Sequence, residues 1–514
     1  MSTKITFIGA GIATSYTLIP FLENLENNST KEKIELLVID RSNDFFKGMP
    51  YGNRSGKSVL LIQDLKNFIT EPHRTHFKNW LNKHIKSLSQ EFISHGGPYA
   101  NKWINDNKQF IKDGDWDDLY IPRFFFGTYI EEEVLKRIKK LESSNKLLMT
   151  YLQKETIGLQ QISSGFKINF EDSTSIITEK VVLSMGSLPY KRLFEEEIKN
   201  PENALYIKEP YGSSMEQNLT QIEAFVKARK KNNLKTKITV LGANASGLEA
   251  VYKICDRLPM DSYDMSFKTL SSHGLMPDGT PDLIKAKEFS ASHLEALEYK
   301  KNITAASIGE AAHKDIDEAE NQDLGAATTV GIISAGFGTL LPKLSRTELL
   351  NFAYFHGNQI GRRQRCAGNH YLSVIEELKY QNKFEHIKGR FVSLEESTEG
   401  LLMKYKPTDS NSNTTEKTET FNVVVNCLGS VNLDSENLTP LLEGLIKDGL
   451  CKPNPSKIGF HVDDKMQAIE NLYVAGPLLA GNQIEDKIFW HLEHCARIIW
   501  SSDRLSKNLI SGLN

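Results

Sequence analysis

The chain has 514 residues, too many for one hydrophobic core, so two or three domains are expected. A formal net charge of −3 argues against a general nucleic-acid binder, because neutralising phosphates needs a local excess of Lys and Arg. Five scattered cysteines with no CxxC pair exclude a redox-disulfide reductase and leave no metal site, and their odd number fits a reducing, cytoplasmic setting.

Lys4–Ile8 is a short β-branched and aromatic run that reads as a buried strand. The apolar stretch from Ile5 to Leu22 has the length of a signal peptide. Gly9 and Gly11 break it, and Ser15 and Tyr16 make it amphipathic, so strand, turn and helix read better. No other stretch is long and apolar enough to span a bilayer, so no membrane partner is expected. Ile12 to Leu25 has helical spacing, and Ile34 to Ile39 is a second strand ending in Asp40.

This is the βαβ order of a dinucleotide-binding unit. Gly9 permits the tight turn, and Gly11 lets the backbone approach a pyrophosphate. The first helical residues, Ile12 and Ala13, present amides to it, and Asp40 can accept hydrogen bonds from a ribose. Thr14 stands where a third glycine is usual, which implies a slightly looser helix–strand contact.

Lys237–Leu241 opens a second unit, followed by Gly242-Ala243-Asn244-Ala245-Ser246-Gly247 and a helix from Leu248 to Leu258. Gly242, Asn244, Ser246 and Gly247 are the candidate contacts to NADPH or NADH. Asn244 tolerates the turn but makes pyrophosphate approach less assured. The second strand, Met265 to Leu270, ends without an acid for a ribose or an arginine for a 2′-phosphate. Ser271 or His273 can serve there, or His273 is a plain loop residue.

A quieter repeat supports duplication. Gly165–Phe170 leads to Val181–Leu183 and the turn Ser184-Met185-Gly186-Ser187; Gly400–Tyr405 leads to Val423–Val425 and Asn426-Cys427-Leu428-Gly429-Ser430. Each hairpin feeds an apolar strand that ends in a small turn where the chain leaves its domain, which places Gly186 beside the first nucleotide. The polar stretch from Pro407 to Thr420 reads as a loop within the second hairpin.

Between Pro277 and about Gln381 strand signals are weak. Leu283 to Tyr299, Ile308 to Glu320 and Arg346 to Phe355 read as helices, with glycine-rich stretches such as Gly331 to Gly338 between them. Such an insert is a natural place for substrate recognition. Arg362, Arg363 and Arg365, with His370 and Tyr371, can hold a substrate carboxylate or cofactor phosphates, or form a solvated basic turn. The other basic run, Lys227–Lys231, reads as a solvated helix end.

Near the C-terminus, Ile458–Asp463 and then Asn471-Leu472-Tyr473-Val474-Ala475-Gly476-Pro477 look like the closing FAD signature of two-dinucleotide flavoproteins. With these residues, the chain resembles bacterial FAD/NAD(P)-binding proteins related to flavin-dependent N-hydroxylating monooxygenases. The resemblance also covers Gly48-Met49-Pro50-Tyr51 and Ile121-Pro122-Arg123, and is weakest between about 280 and 355. It implies that Met49, Tyr51, Arg123, Gly476, Pro477 and Ile484 lie at the FAD, although a surface salt bridge is an alternative for Arg123. It implies a helix beginning near Ile484, with Gln483 and Glu485 close to the flavin ring as substrate candidates.

The expected fold class is α/β, with two Rossmann-like dinucleotide-binding domains, the second carrying a helical insert. An FAD domain of 1–195 and 433–514 is interrupted by an NAD(P)H domain of 205–432, with the insert at about 280–382. A short amphipathic C-terminal helix points to self-association. No hydrolytic constellation is present, in keeping with a flavin enzyme whose cofactor carries the chemistry. The resemblance implies a monooxygenase that uses FAD and NADPH or NADH to oxidise a small amine or amino acid. Alternatives are a flavin reductase or dehydrogenase with another acceptor, and a nucleotide-binding protein with little turnover.

Overall fold

Two parallel sheets, each begun by a strand that runs into a glycine turn, organise the computed structural model, which describes residues 3–27, 33–212, 214–272, 276–279, 281–408, 415–492 and 494–513. In the first sheet, Lys4–Ile8 lies between Ile34–Asp40 and Lys180–Leu183, with Leu147–Gln153 beyond the former and Leu472–Val474 beyond the latter, all parallel. Gln467–Ile469 closes the edge antiparallel. The strand Leu472–Val474 thus brings the C-terminal part of the chain back to the N-terminal sheet. Both faces of this sheet are covered, and its strands read as near-continuous apolar runs for that reason.

In the second sheet, Thr236–Leu241 lies between Met265–Ser271 and Val423–Asn426, flanked by Phe384–Ser397 and Leu205–Ile207, again parallel. The hairpins differ in one way. Leu147–Gln153 breaks before Thr156–Ile162, which pairs with Gly165–Phe170 in a separate three-stranded sheet. Phe384–Ser397 runs through the equivalent position as one strand of 14 residues, kinked by a bulge between Phe391 and Ser393.

The helical insert contains more helix than its glycines suggest. Ala326–Leu340 is a helix that includes Gly331, Gly336 and Gly338, because Thr329, Ile333, Phe337 and Leu340 recur on one buried face and their packing outweighs glycine's poor propensity. The segment from Leu283 to Tyr299 holds two short helices, Lys285–Glu288 and Ser292–Leu297, instead of one. A π-helical turn, Phe352–His356, follows Arg346–Asn351, and here Phe352 packs at 5.6 Å against Trp490 of the C-terminal segment. The core of the insert therefore rests partly on Trp490 and Ile488.

A second helical region, unmarked by any motif, lies between residues 65 and 113. Its main helix, His73–His95, buries Phe77, Trp80, Leu81, Leu88 and Phe92 against the aromatic face of Arg123–Ser143.

The chain after Gly476 also departs from expectation. Asn482–Ile484 and Lys487–Phe489 form a hairpin, and the last helix runs from Cys495 to Ser511. Asn482 holds the extended conformation: its amide donates to the Phe460 and Leu479 carbonyls and its oxygen accepts from Val462 N. Glu485, at φ +53°, turns the chain. The apolar face of the last helix packs on Ile12–Asn27, with Leu505 and Leu509 fully buried, so that face is used within the fold. The basic run ends the helix Met215–Lys231 with its lysines exposed, but Arg229 is buried and donates to the Lys235 carbonyl. No helix among the described residues is long and apolar enough to cross a membrane.

Candidate functional site

The two glycine turns are built on one template. Gly9 N donates to the Ile39 carbonyl at 2.8 Å and Gly242 N to the Leu270 carbonyl at 2.9 Å. Gly9 has φ +103° and Gly242 φ +107°, conformations that favour glycine. A Cβ on Gly9 would lie 2.3 Å from the Ser184 carbonyl oxygen, and one on Gly242 would lie 2.2 Å from that of Cys427. Beyond each crossing strand, Gly186 and Gly429 face open space.

Around the first turn the residues fit a dinucleotide. Gly11 and Gly48 approach each other backbone to backbone, and Gly476 lies against Ala13, so only small residues line a cradle at the start of the helix Ile12–Asn27. Ile12 and Ala13 are buried and present their amides there. Asp40 Oδ2 accepts from Ala10 N at 3.0 Å, and Oδ1 accepts from Ser42 N and Oγ. The carboxylate is therefore fixed at the strand end, with lone pairs left for a ribose. Thr14 does not loosen the helix: its hydroxyl donates to the Gly9 carbonyl at 2.6 Å and meets Ser184 Oγ at 2.6 Å. Met49 packs toward the core of the second unit, whereas Tyr51 turns its ring into an aromatic cluster with Phe68 and Phe126. Pro477 opens the short helical turn Gly476–Leu479 below the cradle.

The second turn is more closed. Asn244 caps the helix Ala245–Arg257, its Oδ1 accepting from Gly247 N at 3.1 Å and its Nδ2 donating to the Cys427 carbonyl. One amide that would otherwise meet a phosphate is taken by this side chain, while Ser246, just before Gly247, stays part-exposed. At the place matching Asp40 stands Ser271, which shares a hydrogen bond with His386 Nε2 at 3.0 Å. His273 lies outside the described residues.

Arg123 sits between the two units. It forms an ion pair of 2.8 Å with Glu249 of the second glycine-turn helix, both largely buried. Burial works against the charge of Arg123, but Glu249 together with Tyr371, Tyr211 and Tyr51 more than offsets it, so its pKa is raised. Tyr211 and Tyr371 donate their hydroxyls to Glu249 at 2.6 and 2.9 Å. One helical turn further, the fully buried Lys253 donates to the Ser55 carbonyl, and Asp256 accepts from Gly97 N and Tyr99 N. The contacts thus link three successive turns of this helix to the first unit.

The remaining candidates are dispersed. Arg363 is held by Asp317 at 2.6 Å and Glu320 at 2.8 Å inside the insert, while Arg362 and Arg365 are exposed. Gln483 donates to the Glu485 carbonyl, Glu485 pairs with Arg504 of the last helix at 3.3 Å, and Ile484 is buried in the first core, so all three are engaged by contacts within the first unit. His293, Asp315 and Glu318 come within 4.8 Å of one another. Asp315 is occupied there by the amides of His293 and Leu294, the work of a helix cap. A cluster that no motif signalled, Trp490, His491, His494 and Arg497, joins the insert to the first unit: His494 Nε2 meets Gln63 Oε1 at 3.0 Å, and Gly361 backs onto Trp490 and His491.

These features define a class, the two-dinucleotide-binding α/β fold of flavoproteins. Residues 6–188 match a family model described as FAD-NAD(P)-binding. Uncharacterized proteins of Mycobacterium tuberculosis and Mycobacterium bovis are 28% identical, the matches covering 99% of this chain and 95% of theirs. Among solved structures, a cadaverine monooxygenase of Erwinia amylovora bound to FAD is similar with TM-score 0.54 and 10% identity over 99% of this chain and 95% of that one. An L-lysine 6-monooxygenase of Pseudomonas syringae (0.53) and a reduced ornithine hydroxylase of Pseudomonas aeruginosa (0.51) are each 13% identical over 100% of both chains. The fold and the FAD-NAD(P)-binding segment are those the sequence motifs led to.

Proposed function

We propose that the chain is an FAD-dependent monooxygenase that takes hydride from NADPH or NADH and N-hydroxylates a small amine or amino acid. The observation that carries this reading is the pairing of an open, glycine-lined FAD cradle with a second turn of the same design, in a whole-chain architecture shared with three amine or amino-acid oxygenases. When bound, FAD supplies hydride acceptance and oxygen activation. The chain's residues bind and orient. Helix-start amides at Ile12 and Ala13 meet the pyrophosphate, Asp40 holds the ribose, and the Arg123–Glu249 contact fixes the two units face to face. The insert is docked on Trp490 of the C-terminal segment.

Anaerobic titration of the purified protein with NADPH and NADH tests the reading. A flavin spectrum that bleaches with one nucleotide, followed by hydroxylated amine formed in step with nucleotide oxidised in air, is the expected result. A colourless protein that FAD does not reconstitute would overturn it. The Asn244 cap favours a second reading, a flavin-binding protein with little nucleotide turnover, which a flavin spectrum that neither nucleotide bleaches would support.

A further inference from the structure

Arg497 is a partly buried guanidinium with no carboxylate within ion-pair distance among the described residues. Its Nη1 meets His491 Nε2 at 3.2 Å and the His491 carbonyl at 3.3 Å, and its plane lies 4.9 Å over the Trp490 ring. Arginine has only donors, so His491 Nε2 accepts and its proton sits on Nδ1. That Nδ1 is buried without a partner. His494 adds a third polar ring, and its tautomer is set in turn: Nδ1 accepts from Ala496 N, leaving Nε2 to donate to Gln63. Among the described residues the cluster therefore offers a cation without a counter-charge and an orphan N–H where the insert, the first unit and the C-terminal segment meet. Burying a cation without a counter-charge is costly, and Arg365 close by adds to the positive field acting on His491. A ligand bearing an anionic oxygen group removes that cost.

We propose that Arg497, with His491, forms an anion site that receives the carboxylate of the substrate, so that this chain takes amino acids with a terminal amine in preference to the corresponding diamines. The inference rests on the monooxygenase reading for its substrate, but the anion site stands on its own contacts. A diamine would place an ammonium beside Arg497, where like charges repel. An amino acid places its carboxylate there instead.

The test compares L-lysine with cadaverine and L-ornithine with putrescine, using the FAD-loaded full chain and reading hydroxylamine product. Expected is a kcat/KM about 10- to 100-fold higher for each amino acid, the scale of one charged hydrogen-bonded contact. Arg497→Met should raise the amino-acid KM enough to remove that preference, and Arg497→Lys should restore part of it. Equal or better use of the diamines by the unaltered protein would overturn the proposal. So would a preference that survives Arg497→Met, or a KM change confined to NADPH, which would assign the site to a nucleotide phosphate. Thermal shift separates this from failure of the monooxygenase reading. A melting point raised by L-lysine but not by cadaverine, and lost in Arg497→Met, keeps the anion site even if no amine is oxygenated. The absence of any shift with either amino acid, in a protein that oxygenates no amine, removes it.

Discussion

Arg123 opens the helix Arg123–Ser143 of the first unit, Glu249 lies in the second glycine-turn helix, and the two meet 2.8 Å apart in the interface between the units. Two tyrosine hydroxyls complete the coordination of Glu249, so this acid is fully hydrogen-bonded where it is buried. Removing one partner strands the other charge. Arg123→Met should lower stability by about 3–5 kcal/mol, and Glu249→Gln by a comparable amount, since it leaves the Arg123 charge unpaired and keeps an acceptor oxygen for only one of the two tyrosines. Denaturant melts of the FAD-loaded protein check this. Equal midpoints for Arg123→Met and the unaltered chain would show the pair to be dispensable.

The same interface carries a pH dependence. His370 sits against Tyr371, Tyr120 and Tyr252 with both ring nitrogens unpartnered. Burial, helped by the Arg123 charge, pushes its pKa down from 6.5 to about 3. The unfolded chain takes up this proton below pH 6.5, while the native chain does not until about pH 3. Stability is therefore fully present above pH 6.5 and is lost as pH falls through that window, by about 1.4 kcal/mol per pH unit for this group. His370→Phe should flatten the dependence by that amount in melts at pH 7.5, 6.5 and 5.5. An unchanged slope would place the imidazole in contact with water.

Gly9 and Gly11 separate folding from flavin binding. A methyl at Gly9 would meet the Ser184 carbonyl at 2.3 Å on a left-handed backbone, so Gly9→Ala should prevent stable folding. At Gly11 the nearest atom to a new methyl is Gly48 Cα at 3.6 Å, ordinary contact, but the methyl enters the cradle. Gly11→Ala should therefore fold and lose FAD affinity by at least about tenfold, a clash worth more than 1.4 kcal/mol. Circular dichroism with flavin fluorescence distinguishes the two, and a yellow, tightly flavin-bound Gly11→Ala protein would count against the cradle.

Both βαβ units were legible because each is local: a β-branched strand, a glycine turn and a patterned helix follow one another directly. The paired hairpins were legible for the same reason, down to the open glycines at 186 and 429. The helix start near Ile484 was misread because Asn482 bonds across the fold to Phe460 and Val462, which no local pattern records. Gly331 and Gly338 hid a helix whose stability comes from packing on the rest of the insert. Arg123 and Glu249, like Arg497 and Trp490, belong to interfaces between distant segments, so their partners follow only from the tertiary fold. The helix His73–His95 could have been found from the spacing of Phe77, Trp80, Leu81, Leu88 and Phe92.

Asn244 is the residue on which nucleotide use turns. In the first unit Gly11 occupies the corresponding position and leaves the helix start open, whereas Asn244 spends its side chain on Gly247 N and the Cys427 carbonyl. Replacing an Asn cap by Gly costs a helix only a few tenths of a kcal/mol, so Asn244→Gly should fold normally. It should also free the Gly247 amide and let a pyrophosphate approach the turn. The expected outcome is faster flavin reduction at low nucleotide concentration, with KM for NADPH or NADH reduced about tenfold, the scale of one charge-assisted hydrogen bond. Stopped-flow reduction under anaerobic conditions measures it directly. A variant that reduces no faster than the unaltered protein would mean that the nucleotide, if it binds, does not meet the second turn through these amides.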